Sequence, residues 1–176
     1  MITLIKPSKE YALDVFKYKD EMNAAGNTGM DGCGGLDRFS DFDEWLKFLE
    51  SLTDRNKIDP LSGFVEGSHY LLVDDVRKKV LGMVNLRHYL NDFLFRVGGH
   101  IGYSVRPDER GRGYAKLQLK LALEKIAEQG VRDVLITCTC DNEASARTIE
   151  ACGGVLENVI HSPEYGCDIK RYRIHI

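Results

Sequence analysis

The sequence lacks the features that mark membrane and secreted proteins. No run of apolar residues approaches the ~18 residues of a membrane-spanning helix. The first residues, MITLIKPSKEY, have neither the long apolar core nor the cleavage site of a secretory signal. The five cysteines are odd in number and include no C-x-x-C pair, which argues against a disulfide framework and a zinc site. We therefore expect a cytoplasmic protein with reduced thiols, no metal and no membrane contact.

The sequence also lacks a strong excess of charge of either sign. It has 24 basic and 27 acidic residues and a formal net charge of −3, so the chain as a whole is not suited to nucleic acid. The charge is uneven, because residues 1–66 hold 13 acidic and 8 basic residues while residues 106–125 hold 3 acidic and 6 basic residues. The first part would tolerate a cationic partner and the second an anionic one.

Hydrophobic periodicity predicts one α/β domain that spans residues 1–176. Helices are expected from Ser8 and from Ser40, where each serine would cap the first turn, over 114–129, and from Asn142 to Cys152. Strands are expected at 2–7, as a pair within 70–90, and at 98–107, 131–140, 155–162 and 167–176. The order is β-α-α-β-β-β-α-β-α-β-β. Between the first two helices, residues 23–37 hold five glycines and predict a mobile loop with substrate contacts.

A basic, glycine-containing stretch, RPDERGRGYAK (106–116), follows an apolar strand. The dinucleotide motif G-x-G-x-x-G fails because Lys116 occupies the third glycine position, and a P-loop fails because the chain has no Gly-Lys pair. A nucleic-acid patch would need more aromatic platforms than Tyr114 alone. The stretch instead predicts anion capture at the start of a helix, where backbone N–H groups of residues 111–116 have no helical partner. The implied ligand is a pyrophosphate.

Two motifs then indicate a family. The run RGRGYA (110–115) matches R/Q-x-x-G-x-G/A, the cofactor motif of the GNAT superfamily of acetyl-CoA-dependent N-acetyltransferases. The run NEASARTIEACG (142–153) resembles the second signature of that family, N-x-x-A/S-x-x-x-[Y]-E-x-x-G. With the flanking strands and helix, the chain resembles this superfamily over its whole length, and most closely a bacterial subgroup of predicted acetyltransferases.

The resemblance implies a fold, a co-substrate and partners. The fold would be α/β (α+β), with a central mixed, mostly antiparallel sheet of about seven strands and about four helices. That sheet would splay between the strand at 99–106 and the strand at 132–140. The co-substrate would be acetyl-CoA, without a metal. The acceptor would be a small-molecule or peptide amine, favoured as cationic by the acidic N-terminal part, and a homodimer can form in this family.

The resemblance also implies site residues. Backbone N–H groups of the turn would hold the pyrophosphate, the arm of CoA would lie along the preceding strand, and Val105 N–H would bind the thioester oxygen. The cofactor-binding residues implied are Ser104, Val105, Arg110, Gly111, Arg112, Gly113, Tyr114, Ala115, Lys116, Asn142 and Ser145. For the general base that deprotonates the amine, His100 ranks first, followed by Glu66 and His88.

One position departs from the family pattern. Many members carry a tyrosine seven residues after the asparagine, proposed to protonate the departing thiolate, and this chain has Ile149 there. A thiol with an ordinary pKa of ~8.5 leaves tolerably as a thiolate, so the departure does not exclude activity. Ser145 or Tyr103 could replace the missing acid. Alternatively, the chain would be a non-catalytic acyl-CoA-binding module.

Overall fold

Seven strands and four α-helices form in the order that the sequence predicts. A computed structural model describes residues 1–176. Its elements are β1 (Ile2–Ile5), α1 (Ala12–Ala24), α2 (Phe42–Ser51), β2 (Gly67–Asp74), β3 (Lys79–Arg87), β4 (Ile101–Val105), α3 (Tyr114–Ala127), β5 (Asp133–Thr139), α4 (Glu143–Glu150), β6 (Val155–Ser162) and β7 (Cys167–His175). None of the helices combines the length and the apolar character needed to cross a bilayer.

The strands form two antiparallel sheets, and the boundary between them lies where a splay is expected. One sheet has the order β1-β2-β3-β4 and the other the order β5-β7-β6. At the boundary, His100 N–H donates to Leu135 O at 2.7 Å, just before β4 begins. Beyond that bond no ladder joins β4 to β5. The edge of β4 therefore opens towards its end at Val105, and the predicted mostly antiparallel fold is confirmed.

The four-stranded sheet buries both faces. Residues directly opposite each other in an antiparallel pair point to the same face, so Leu71 and Met83 share one face while Tyr70 and Val84 share the other. Leu71 and Met83 belong to a core cluster with α1 and α2. Tyr70 and Val84 belong to a second cluster with α3, α4 and the three-stranded sheet. The segment 25–41 therefore starts and ends on the α1–α2 face.

The helix starts differ from the predicted caps. Helix α2 is capped by Asp41, whose carboxylate accepts from Glu44 N–H at 3.0 Å, so the prediction of a Ser40 cap is wrong by one residue. The cause is that aspartate is as good a cap as serine, and the first turn closes on Asp41. Ser8 precedes a short 3₁₀ turn and makes no side-chain cap bond, and α1 proper begins at Ala12.

Candidate functional site

The open edge of β4 forms one wall of a cleft of about 590 Å³. The other walls are the turn after β4, the start of α3 and the start of α4. Of the residues predicted to bind a cofactor, all but Arg112 line this cleft, namely Ser104, Val105, Arg110, Gly111, Gly113, Tyr114, Ala115, Lys116, Asn142 and Ser145. The structure thus brings together two motifs that are about 30 residues apart in sequence.

The turn into α3 presents free backbone donors to this cleft. Gly111 and Gly113 have φ values of 75° and 82°, in the left-handed region that favours glycine. No side chain caps α3, and the first N–H with a helical partner is that of Leu117, which donates to Gly113 O at 3.1 Å. The N–H groups of residues 111–116 have no acceptor in the protein. Such a run of donors at the positive end of a helix dipole favours an anion.

The buried carboxylate of Glu109 anchors this turn through hydrogen bonds to basic side chains. Glu109 is 1% exposed and accepts hydrogen bonds from Arg77 at 2.7 Å and Lys79 at 2.8 Å. Burial alone would raise the pKa of Glu109, but these cationic partners lower it to about 2. Arg112 also pairs with Glu109, at 3.2 Å, and does not itself line the cleft.

The remaining arginines near the turn have distinct roles. Arg106 is 3% exposed and pairs with Glu21 at 2.6 Å and Asp14 at 2.8 Å, which ties β4 to α1. Arg110 donates from Nε to Val105 O at 3.1 Å and from Nη2 to Asn27 Oδ1 at 3.1 Å. Only Arg110 of this pair lines the cleft. The basic residues of the sequence stretch are therefore divided between structural ion pairs and the cleft.

The backbone of β4 leaves one donor directed at the cleft. Arg106 N–H donates to Leu81 O on β3 at 2.8 Å. Because consecutive N–H groups of a strand point to opposite edges, the Val105 N–H points to the unpaired edge. The carbonyl of Val105 is on that same edge, where it accepts from Arg110.

The far wall of the cleft is the start of α4. Asn142 caps this helix, since its Oδ1 accepts from Ser145 N–H at 3.0 Å. The Tyr103 hydroxyl lies 2.9 Å from Ser145 Oγ, so the two residues suggested to replace a missing acid are in contact. Burial raises the pKa of Tyr103 to about 12, which keeps the phenol protonated near neutrality. Ile149 is fully buried and packs in the core.

His100, the first-ranked base, binds the neighbouring strand through its backbone and its Nδ1 at the junction of the sheets. Its backbone N–H binds Leu135 O, and its Nδ1 accepts from Leu135 N–H at 3.0 Å. Burial, assisted by the positive charge of Arg173, lowers the pKa of His100 to about 4. His100 does not line the cleft. These contacts favour a role in joining β4 to β5.

Glu66 and His88 lie together outside the cleft. His88 Nε2 is 3.0 Å from Ser68 Oγ, and His88 Nδ1 is 3.9 Å from Glu66 Oε1. Burial lowers the pKa of His88. Ser68 and His69 are successive residues of β2, so their side chains point to opposite faces of the sheet. The bond to Ser68 therefore keeps His88 on the face opposite to that of His69.

A second cavity, of about 370 Å³, adjoins the cleft on the α1–α2 face. The cleft and this cavity share Gly29, Met30 and Asp31 from the glycine-rich segment. At Gly32 this segment lies directly on β4, because a Cβ there would come within 2.5 Å of Tyr103 Cα. The glycine-rich segment therefore forms the boundary between the two spaces.

Asp31 is the carboxylate at this boundary, and sequence reasoning did not single it out. Asp31 lines both cavities and is exposed to solvent. Partial desolvation in the concave site raises the pKa of Asp31, although the charge of Arg87 opposes the shift. The available signal was its position between glycines in the loop predicted to carry substrate contacts. No group of three or more potential metal-ligating side chains converges in the structure.

Solved structures share this fold along nearly the whole chain. The ribosomal-protein-S5-alanine acetyltransferase of Vibrio fischeri superimposes with a TM-score of 0.69 at 19% identity, covering 99% of this chain and 91% of the other. A microcin C7 self-immunity acetyltransferase, solved with acetyl-CoA and AMP, gives 0.68 at 18% identity, with 99% and 92% covered. A variant of spermidine N-acetyltransferase from Vibrio cholerae gives 0.66 at 17% identity, with 99% and 93% covered. The chain therefore shares the fold of these proteins.

The sequence assigns the family directly. A family model described as an acetyltransferase (GNAT) domain matches residues 27–155, which is most of the chain and includes both motifs. The protein therefore belongs to the GNAT acetyltransferase family. No curated protein matches the sequence.

Proposed function

We propose that this protein is a cytoplasmic N-acetyltransferase that moves an acetyl group from acetyl-CoA to a primary amine by direct attack in a ternary complex. The observation that carries the proposal is the run of unpaired N–H groups at residues 111–116, placed at the end of a cleft beside an open strand edge. Donors of this kind suit the pyrophosphate of CoA. Arg110 and Lys116, which line the same cleft, add positive charge around it.

The arm of CoA would then run along β4 towards Val105. Amine attack on the thioester carbon places negative charge on the carbonyl oxygen, and a fixed backbone donor stabilises that charge in the transition state. The Val105 N–H is the donor that the strand alternation directs to this edge. On the opposite wall, Asn142 and Ser145 would contact the arm. The C–N bond forms, the C–S bond breaks, and the products are an amide and CoA.

The attacking amine must first lose a proton. An alkylammonium group has a pKa of ~10.4, so a base has to act near neutrality. Asp31 stands at the boundary of the cleft and the second cavity, and partial desolvation raises its pKa. We propose Asp31 as this base. Glu66, His88 and His100 lie outside both cavities, so they rank behind it.

The departing thiolate must gain a proton. Tyr103 lines the cleft and remains protonated, and its hydroxyl contacts Ser145 Oγ at 2.9 Å. Tyr103 would supply the proton that Ile149 cannot, with Ser145 orienting the phenol.

The competing function is a non-catalytic acyl-CoA-binding module, which Ile149 motivates. Two measurements on the full chain separate the functions: calorimetric binding of acetyl-CoA, and release of free thiol with a panel of primary amines. Thiol release that depends on both acetyl-CoA and an amine, with the acetylated amine found by mass spectrometry, supports the transferase. Tight binding without turnover across amino acids, polyamines and peptides with free N-termini would support the module.

A further inference from the structure

We propose that the second cavity holds the acceptor and selects an amine that also carries a carboxylate group and an apolar side chain, as an α-amino acid does. This inference rests on the proposed function, because it names the substrate class of the same transferase. It is carried by the unpaired polar groups that line the cavity.

Two arginines in the lining form no ion pair. The Arg38 side chain forms no hydrogen bond or ion pair within the protein, and its guanidinium carbon lies 4.7 Å from the ring centroid of Phe48 and 5.2 Å from that of Phe64. Arg87 donates from Nη1 to the carbonyls of Gly98 and Gly99 at 2.8 and 3.0 Å, while its Nε and Nη2 have no partner. Both guanidinium groups keep donors available for a planar carboxylate.

Two further polar side chains in the lining are also unsatisfied. His69 is 4% exposed and neither of its ring nitrogens has a hydrogen-bond partner. Asn85 lies directly opposite His69 in the β2–β3 ladder, so both side chains point to the same face of the sheet, and the Asn85 amide forms no side-chain hydrogen bond. Buried polar groups in native proteins are nearly always paired. The unpaired, buried imidazole of His69 therefore indicates a polar ligand in this cavity.

The acidic side chain of this cavity lies at its border with the cofactor cleft, and the two basic side chains do not. Asp31 is the one carboxylate in the lining and also lines the cofactor cleft, whereas Arg38 and Arg87 line only the second cavity. A zwitterion would therefore bind with its ammonium group towards the cleft and its carboxylate away from it. A polycation would meet two unpaired arginines. Phe48, Phe64 and other apolar residues of the lining leave room for an apolar side chain.

The acidic character of residues 1–66 does not oppose this reading, because most of those carboxylates are absent from the cavity. Asp14 and Glu21 are paired with Arg106, and Asp43 is paired with Lys9 at 2.8 Å on the surface. A cationic acceptor, which the acidic character of residues 1–66 favoured, would need these carboxylates at the site.

Matched amines test the inference. L-leucine and 3-methylbutylamine differ by the carboxylate, as do L-phenylalanine and 2-phenylethylamine, and spermidine serves as the polycation. Binding is measured by calorimetry on the full chain in the presence of CoA, and turnover by thiol release with acetyl-CoA. We expect the carboxylated member of each pair to bind about 10- to 100-fold more tightly, the range for a hydrogen bond to a charged group.

The substitution Arg38→Met should remove most of that preference and leave the binding of the decarboxylated amines unchanged. Arg55→Met is the matched control, because Arg55 also stacks on an aromatic ring, Tyr89 at 4.4 Å, but lies outside both cavities. It should change neither member of a pair.

The outcomes separate this inference from the proposed function. Carboxylate-selective binding without turnover would support the acceptor assignment and overturn the transferase. Turnover of amines with no preference for a carboxylate, or with a preference for spermidine, would overturn the acceptor assignment and leave the transferase standing. Failure of both carboxylated amines to bind would also overturn it.

Discussion

Replacement of Gly113 tests whether the backbone of the α3 turn holds the pyrophosphate. Gly113 has φ 82° and no heavy atom lies within 4 Å of a Cβ built there, so a side chain would enter open space at the cleft. Gly113→Asp adds a negative charge beside the free N–H groups. Gly113→Asn adds nearly the same volume without the charge, and both residues tolerate the left-handed region better than other side chains.

The two substitutions share one cost and differ in another. The left-handed conformation costs roughly 1–2 kcal/mol for a residue with a Cβ, and this cost is common to both variants. The aspartate alone repels the phosphates: two unit charges at ~4 Å interact by about 1 kcal/mol in water and about 4 kcal/mol at a protein surface. With the side chain in open space, the lower half of that range applies. We expect acetyl-CoA to bind Gly113→Asp roughly 10- to 30-fold more weakly than Gly113→Asn.

Calorimetry with acetyl-CoA and with acetyl-pantetheine, which lacks the pyrophosphate, makes the measurement specific. The Asp–Asn difference should appear with acetyl-CoA and vanish with acetyl-pantetheine. It should also shrink as salt is raised, because the Debye length falls from about 10 Å at 0.1 M to about 3 Å at 1 M. Equal affinity of the two variants for acetyl-CoA at low salt, with both proteins folded, would refute the proposal that the backbone of the α3 turn holds the pyrophosphate.

Three further substitutions probe the catalytic and structural assignments. Tyr103→Phe should keep acetyl-CoA affinity and lower kcat about 10- to 100-fold; an unchanged kcat would show that the thiolate leaves unassisted. Asp31→Asn should lower kcat and remove the acidic limb of the pH–rate profile, since a base acts only when deprotonated and activity falls as pH drops through its raised pKa; a retained limb would place the base elsewhere. Arg106→Met should lower the unfolding free energy by about 2 kcal/mol in denaturant titrations, because Asp14 and Glu21 lose their partner but are partly exposed. A loss below ~0.5 kcal/mol would show that these ion pairs do not hold β4 to α1.

The fold was predictable because its signals are local. The spacing of apolar residues is a property of a single strand or helix, and glycine or proline marks where that element ends. These two signals reproduced the order of strands and helices. The cofactor half of the site is equally local, since the free donors of residues 111–116 follow from one turn that contains Gly111 and Gly113. The α2 cap failed by one residue, because Asp41 and Ser40 are both good caps and sequence alone does not fix where the first turn closes.

The cavity proposed to hold the acceptor was not predictable because it is assembled from distant segments. Asp31 and Arg38 come from the loop after α1, whereas His69 and Arg87 come from neighbouring strands, and no short pattern links them. The same holds for charge: whether an arginine faces a ligand or an internal carboxylate depends on partners such as Glu109, which pairs with Arg77 from another part of the chain.

His100 either acts as the general base or joins the two sheets just before β4, and pH separates these two roles. Its folded pKa of about 4 lies below the ordinary value of 6.5. Protonation therefore favours the unfolded chain, so the stabilising contribution is complete above pH 6.5 and is lost as pH falls towards 4. The shift corresponds to at most ~3 kcal/mol.

His100→Asn distinguishes the roles, because asparagine can still accept the hydrogen bond from Leu135 N–H but does not titrate. If His100 joins the sheets, unfolding free energies measured between pH 7 and pH 4.5 should fall less steeply for the variant than for the wild type, and the pH–rate profile should keep its shape. His69, whose pKa burial lowers to about 3, contributes equally to both proteins and cancels in the comparison. A base at His100 would give the opposite pair of results: parallel stability curves, and a rate that collapses near neutrality and recovers as free amine accumulates at high pH.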